Sequence, residues 1–159
     1  PLARSVLAHR PDGLLRLDAL AVQAWDGVTA SAQFASVLAA LAEPFDLLLV
    51  GREFGDSDDG AFAPALAARL GWRFISQVQA LVAGAEGLHW LRERGVFEEW
   101  RPVASGTVVS VTNDRRNRLR HPLFKNVAAA KRAPLATKQT PPSPARRALE
   151  LTASIRQWP

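Results

Sequence analysis

The residues of this chain that could do chemistry gather in one short loop. Residues 52–60 read Arg-Glu-Phe-Gly-Asp-Ser-Asp-Asp-Gly, after the apolar run Phe45–Val50 with Gly51 and before the helix-forming stretch Phe62–Leu70. In an open α/β sheet, ligands bind outside the carboxyl ends of the strands. Backbone N–H groups and the positive end of the following helix suit a nucleotide phosphate there. Asp58 and Asp59 also suit the start of that helix, where side-chain oxygens accept from N–H groups of the first turn. Asp56, Asp58 and Asp59 resemble a calcium loop in their spacing, but no glutamate completes it at the twelfth position, so no metal is expected.

Little else in the sequence carries reactive chemistry. With no cysteine there is no disulfide framework, thiolate metal site or cysteine nucleophile. His9, His89 and His121 are scattered, no serine sits in a GxSxG elbow, and no GxxxxGK[ST] loop is present. An independent hydrolase or ATPase is therefore not expected. Arg115, Arg116, Arg118 and Arg120 could meet nucleic-acid phosphates. Tyrosine is absent and the nearest aromatics are Trp100 and Phe124, so bases would find few stacking partners, and nucleic acid is not the expected ligand.

The elements that must position the loop are legible. Leu2–His9 has helical spacing, Pro11-Asp12-Gly13 is a turn, and Leu14–Leu17 reads as a short strand. Ser31–Glu43 carries Phe34, Val37, Leu38 and Leu41 at helical intervals, an apolar stripe suited to one face of a sheet. Phe45–Val50 reads as a strand buried on both faces, implying a right-handed crossover and parallel pairing. Gly71 suits the C-cap of the next helix. Four further runs, Phe74–Val82, Gly87–Leu91, Val96–Val103 and Thr107–Thr112, alternate with period two between glycines. They are expected to be at least partly antiparallel, with one or two completing the main sheet.

Composition bounds the class. At 159 residues, 48% hydrophobic and 22% charged, the chain fits one ordinary globular domain. No apolar run approaches the ~20 residues of a membrane helix, and the first residues show no secretory pattern, so a cytoplasmic location is the expectation. The net charge of +5 conceals a division. Residues 1–100 hold 8 Arg and no Lys against 13 Asp and Glu, whereas residues 101–159 hold 12 Lys and Arg against 2. The expectation is an acidic body, residues 1–112, and a basic arm, residues 113–159, extended by its prolines and meant for a partner. A short helix is expected at Pro144–Ile155.

Several stretches together resemble the β subunit of electron transfer flavoproteins. The pattern Gly51-Arg52-Glu53, acidic loop, Gly60, then PALAARLGW resembles the family's GRExIDxDxGQxxPxLAxxLGWP. Arg92-Glu93, the strand Thr107–Thr112, Asn117 with Pro122, Lys125-Asn126-Val127 and Lys131-Arg132-Ala133-Pro134-Leu135 follow in order, so the resemblance covers about Leu20 to Leu135. It implies a doubly wound, mainly parallel α/β sheet of the adenine nucleotide alpha hydrolase type with added antiparallel strands. Members carry further strands and helices ahead of the segment resembling Leu2–Leu17; a shortened member, a truncated chain or a sequence restricted to ordered residues would each account for the front part that this sequence lacks.

The implied function is electron relay from flavin dehydrogenases to a respiratory-chain acceptor, in a heterodimer whose FAD is held mainly by the α subunit. The loop helps hold AMP, or in some members a second FAD, which makes Gly51, Asp56, Asp58, Asp59, Gly60, Ala61 and Phe62 the implied cofactor-binding set. Ala61 stands where members usually have Gln, and Asp59 where they have a small or hydroxyl residue. Glu93 is implied to lie near the partner's mobile flavin domain, although Arg94-Gly95-Val96-Phe97 replaces the family's Gly-Gly turn.

Leu123, Phe124, Lys125, Asn126, Val127, Lys131 and Arg132 correspond to the loop that docks on dehydrogenases, an apolar anchor ringed by cations. Lys125 replaces a proline there, and Ala128 a methionine. The alternative is a stand-alone α/β module that senses AMP or ATP.

Overall fold

The computed structural model describes residues 2–17, 27–41, 44–51, 60–112, 114–115 and 120–138. Its elements in order are α1 (Leu2–Leu7), β1 (Leu15–Leu17), α2 (Gly27–Ala39), β2 (Leu47–Gly51), α3 (Phe62–Leu70), β3 (Arg73–Val78), β4 (Ala80–Gly84), β5 (Gly87–Arg94), β6 (Phe97–Pro102), β7 (Thr107–Val111), α4 (Phe124–Arg132) and β8 (Ala136–Lys138). The fold is doubly wound α/β with an added antiparallel sheet, as expected.

β7 is the centre. Its sequence, Thr-Val-Val-Ser-Val, is rich in β-branched residues that fit a pleated surface, and it pairs in parallel with β2 on one side and β3 on the other. Val108 points towards Ala63 and Ala67 of α3, and Leu48, Val50, Leu70 and Trp72 close that cluster. Val109 points the opposite way, to Val78 and Trp90, with Leu47, Ile75, Leu81, Val103 and Val111 around them. Asp46 ties the amino end: its carbonyl accepts from Gly106 N–H at 2.8 Å and its carboxylate from the Ser105 hydroxyl at 2.6 Å.

β2 departs from the expectation of burial on both faces. Among the described strands it is an edge, and Leu49 is 56% exposed. The strand buried on both faces is β7, which arrives later in the chain and inserts between β2 and β3. α2 also differs. It ends at Ala39, and of the expected stripe Val37 is buried, with Ala30, Ser31 and Gln33 beside it, whereas Phe34 stays exposed and Leu38 and Leu41 half-buried. The reason is its neighbour: α2 lies along α3, where small residues permit close approach. A Cβ on Gly27 would come within 2.9 Å of the Phe62 nitrogen. The Arg69 guanidinium donates to Ser31 Oγ at 3.1 Å, and Phe34 meets Phe62 edge to face at 5.1 Å.

The run Phe74–Val82 is two strands in two sheets. Gln77 takes a left-handed backbone, φ 59°, and the register with β7 shifts between Ile75 and Val78. Its N–H donates to Ser110 Oγ at 3.1 Å, so the bulge leaves that group satisfied. The kinked chain then runs antiparallel to β5, and β5 to β6. β4 and β5 turn at Ala85-Glu86, and β5 and β6 at Gly95-Val96, where Gly95 has φ 61°.

Residues 120–138 hold a helix and a short strand. α4 packs on α1, and β8 pairs in parallel with β1, Leu15 opposite Ala136. This pairing joins residues on both sides of the expected 112/113 boundary. The helix expected at Pro144–Ile155 lies outside the described residues.

Removing buried methyl groups from the centre should cost far more than removing exposed ones from the edge. Val109→Ala is expected to lower unfolding free energy by about 2 kcal/mol and Leu49→Ala by less than about 1 kcal/mol, read from urea transitions at constant slope.

Candidate functional site

Register builds the first candidate site. Gly51 ends β2 opposite Val111 of β7, so the loop after β2 opens beside the carboxyl end of the central strand. Gly60, with φ 73°, brings the chain back, and α3 starts at Phe62. Among the described residues, adjoining ones apart, no heavy atom lies within 4 Å of a Cβ built on Gly51 or Gly60, and Gly60 holds a backbone that glycine takes without strain. The N-cap of α3 is Ala61, with no side-chain capping bond, and Pro64 contributes no N–H. The first turn therefore presents at most the N–H groups of Phe62 and Ala63, and this edge fits a phosphate approached by backbone. Phe62 is not a free stacking platform, because its ring meets Phe34. Asp56, Asp58 and Asp59 lie outside the described residues.

Sequence reasoning missed the polar groups that β7 and β3 bring to this edge. Ser110 and Gln77 meet there, and Thr112 N–H donates to the Val78 carbonyl at 3.0 Å. The available signal was the pair of hydroxyl residues closing an otherwise apolar strand. An apolar hollow of about 350 Å³, lined by Leu38, Leu41, Pro44, Phe45, Leu48, Leu70 and Trp72, lies at the amino end of the sheet, away from the loop.

α4 is the second site. Pro122 precedes it, three consecutive alanines favour helix, and it stops at Ala133 because the residue before Pro134 is held extended, φ −66° and ψ 138°. Ala130 is buried against its own chain, while Asn126 and Val127 are half-buried. Phe124 is 87% exposed and Leu123 62% exposed. Phe124 and Lys131 fall seven residues apart on one stripe, as do Lys125 and Arg132 on the next. Five of the seven docking residues predicted from sequence thus face outward, and Asn126 and Val127 help seat the helix.

Arg4 fastens this helix. Its guanidinium donates to the carbonyls of Ala130, at 3.1 Å, and Lys131, groups that the last turn of a helix leaves without partners inside it. No spacing could have shown this, because the partners are 126 and 127 residues away. Through α1 and β1 the fold also adds charge to this region. Residues 2–17 and 120–138 hold eight Lys and Arg against Asp12, a balance of +7.

Glu93 lies near the end of β5, exposed, with its N–H donating to Gln79 Oε1 at 2.6 Å. On the opposite face of that strand Arg92 stacks 5.3 Å from the Trp90 ring centre and pairs with Glu99 at 2.9 Å. Arg92, with Arg101 beside it, holds the Glu99 carboxyl below the usual carboxylate range against a smaller opposing effect of desolvation. Among the described residues no group of His, Asp and Glu could hold a metal, and no helix is long and apolar enough to cross a membrane.

A parallel sheet covered by a helix on one face and by an antiparallel sheet on the other defines a doubly wound α/β domain. The family model for the electron transfer flavoprotein domain matches residues 2–142, and the chain belongs to that family, whose members are flavin-dependent electron carriers rather than enzymes in the ordinary sense. No curated protein shows a significant match to the chain.

Two outcomes test these sites. Arg4→Ala should speed hydrogen exchange at the last turn of α4 about ten-fold, from the loss of roughly 1–2 kcal/mol of charged hydrogen bonding. Glu99 has a depressed folded pKa, so its stabilisation is present above the ordinary carboxylate range and lost as pH falls through the depressed value. Glu99→Gln should therefore flatten the acid limb of stability against pH and leave its alkaline limb unchanged, as followed by thermal melts.

Proposed function

We propose that this chain is the β-type subunit of a heterodimeric electron transfer flavoprotein in the cytoplasm, relaying electrons from flavin dehydrogenases to a respiratory-chain acceptor. The observation that carries the reading is the exposed Leu123–Phe124 knob on a helix rimmed by Lys125, Lys131 and Arg132. Aromatic anchors of this kind, once desolvated, hold most of the energy of a protein interface. The surrounding cations steer an acidic partner and raise its association rate more than its final affinity.

FAD, held mainly by the partner subunit, would supply the redox chemistry. This chain supplies scaffold and docking. The edge between Gly51 and Phe62 is assigned to AMP, whose phosphate would meet backbone N–H groups at the start of α3. Asp56, Asp58 and Asp59 belong to the same loop, and Glu93 is assigned to the partner's flavin domain, where its charge would bias one domain arrangement over another.

Phe124→Ala should raise the KM for a reducing dehydrogenase by about thirty-fold or more, as expected of a hot-spot residue, with flavin content and kcat nearly unchanged. An unchanged KM would remove the docking assignment. Titration calorimetry with AMP tests the loop: heat at micromolar to millimolar ligand is expected, and none would remove the nucleotide from the reading. A colourless monomer that binds AMP and no flavoprotein subunit would favour the sensor instead.

A further inference from the structure

α4 presents Phe124 but has little of its own to hold it. The helix runs for nine residues, shorter than the ~12–15 below which an isolated helix is marginal in water. Leu123 at its N-cap makes no side-chain capping bond, and no acidic residue stands in its first turn. Its seat on the rest of the chain is small: Ala130 is its buried residue, with Asn126, Val127 and Ala128 half-buried.

Fastening comes from α1. Leu2, Ser5, Val6 and His9 are exposed on one side of that helix, whereas Ala8 is buried and Arg4 and Leu7 are half-buried on the other. From there the Arg4 guanidinium donates to the carbonyls of Ala130 and Lys131, where its charge also meets the negative end of the α4 dipole. α1 is itself anchored, since β1 pairs with β8 and only residues 133–135 separate β8 from α4. One end of the short helix is thus held by a fixed cation, and the other end carries the exposed Leu123 and Phe124. A helix this short, once opened at one end, keeps few bonds to hold the remainder. Apparent affinity then falls with the fraction of molecules in which the binding surface is formed.

We infer that Arg4 is a positioning residue for docking: through the carbonyls of Ala130 and Lys131 it keeps α4 folded and Phe124 aimed outward. Affinity for the redox partner is then controlled by a residue more than a hundred positions away in sequence. The inference rests on the docking reading of Phe124 above and names the residue on which that surface depends. Arg4 acts through Phe124 and makes no contact with the partner.

The test measures KM and kcat of the heterodimer with the dehydrogenase that reduces it, at low and at high salt. Arg4→Ala should raise KM about five-fold or more at both salt concentrations and change kcat far less, because a clamp within the fold is screened less than a steering charge. Arg16→Ala removes an equal charge from an exposed position of β1 and should raise KM at low salt only. In a Phe124→Ala background, Arg4→Ala should add less than about two-fold, since an anchor already removed cannot be misplaced. Arg4→Lys keeps a cation within reach of the carbonyls and should recover most of the loss. If Arg4→Ala melts early, Arg4→Lys carries the same test, with a KM increase of about two-fold that vanishes in the Phe124→Ala background. Wild-type KM in Arg4→Ala, a loss that disappears at high salt, or a loss that adds in full to that of Phe124→Ala would each overturn the inference and leave the docking site standing. An unchanged KM in Phe124→Ala would overturn the docking reading and the positioning role together.

Discussion

Strand β7 must be covered on both faces, and most of the molecule can be understood as the means of covering it. Thr107, Val108 and Val109 are fully buried, a condition that a parallel strand meets only when separate layers lie above and below it. α3 supplies one layer through Ala63 and Ala67, and the antiparallel sheet supplies the other through Trp90 and Leu81. The bulge at Gln77 follows from this arrangement. A chain leaving the parallel sheet has to turn sharply to lie across its face, and one residue in the left-handed region with its N–H held by Ser110 achieves that turn.

The same constraint orders the functional surface. Because β2 and β3 flank β7 in parallel, the carboxyl end of β2 and the start of α3 come to one edge, where Gly51 and Gly60 have no other described side chain close to them. α4 lies elsewhere and depends on a different fastening. α4 is short and has no glycine cap, and its terminal carbonyls are met by Arg4 from the other end of the chain. A helix whose inner side is held at Ala130 can present Phe124 outward with its direction already fixed.

Charge is arranged by folding more than by position along the chain. Read linearly, the first hundred residues are acidic and the remainder basic. The fold instead removes Arg4, Arg10 and Arg16 from the acidic portion and sets α1 and β1 against α4 and β8. The basic region is thereby built from both ends of the described chain. Glu93, Glu98 and Glu99 stay with the antiparallel sheet, where Arg92, Arg94 and Arg101 match them in number.

Local signals were sufficient wherever one element's own residues decide its form. Phe62–Leu70 with Gly71 past its end determined α3 and its left-handed cap, at φ 67°, because capping is settled within a few residues. The alternating runs determined the antiparallel hairpins for the same reason, and the order of motifs determined the family. Which strand would be central was decided only by tertiary structure. An apolar run such as Leu47–Val50 looks the same at an edge as in the middle, and β7 takes its place through contacts made by chain on either side of it. The face α2 buries, the break at Gln77 and the grip of Arg4 on α4 were decided in the same way, since each depends on which surface happens to lie opposite, and no spacing within the sequence records that.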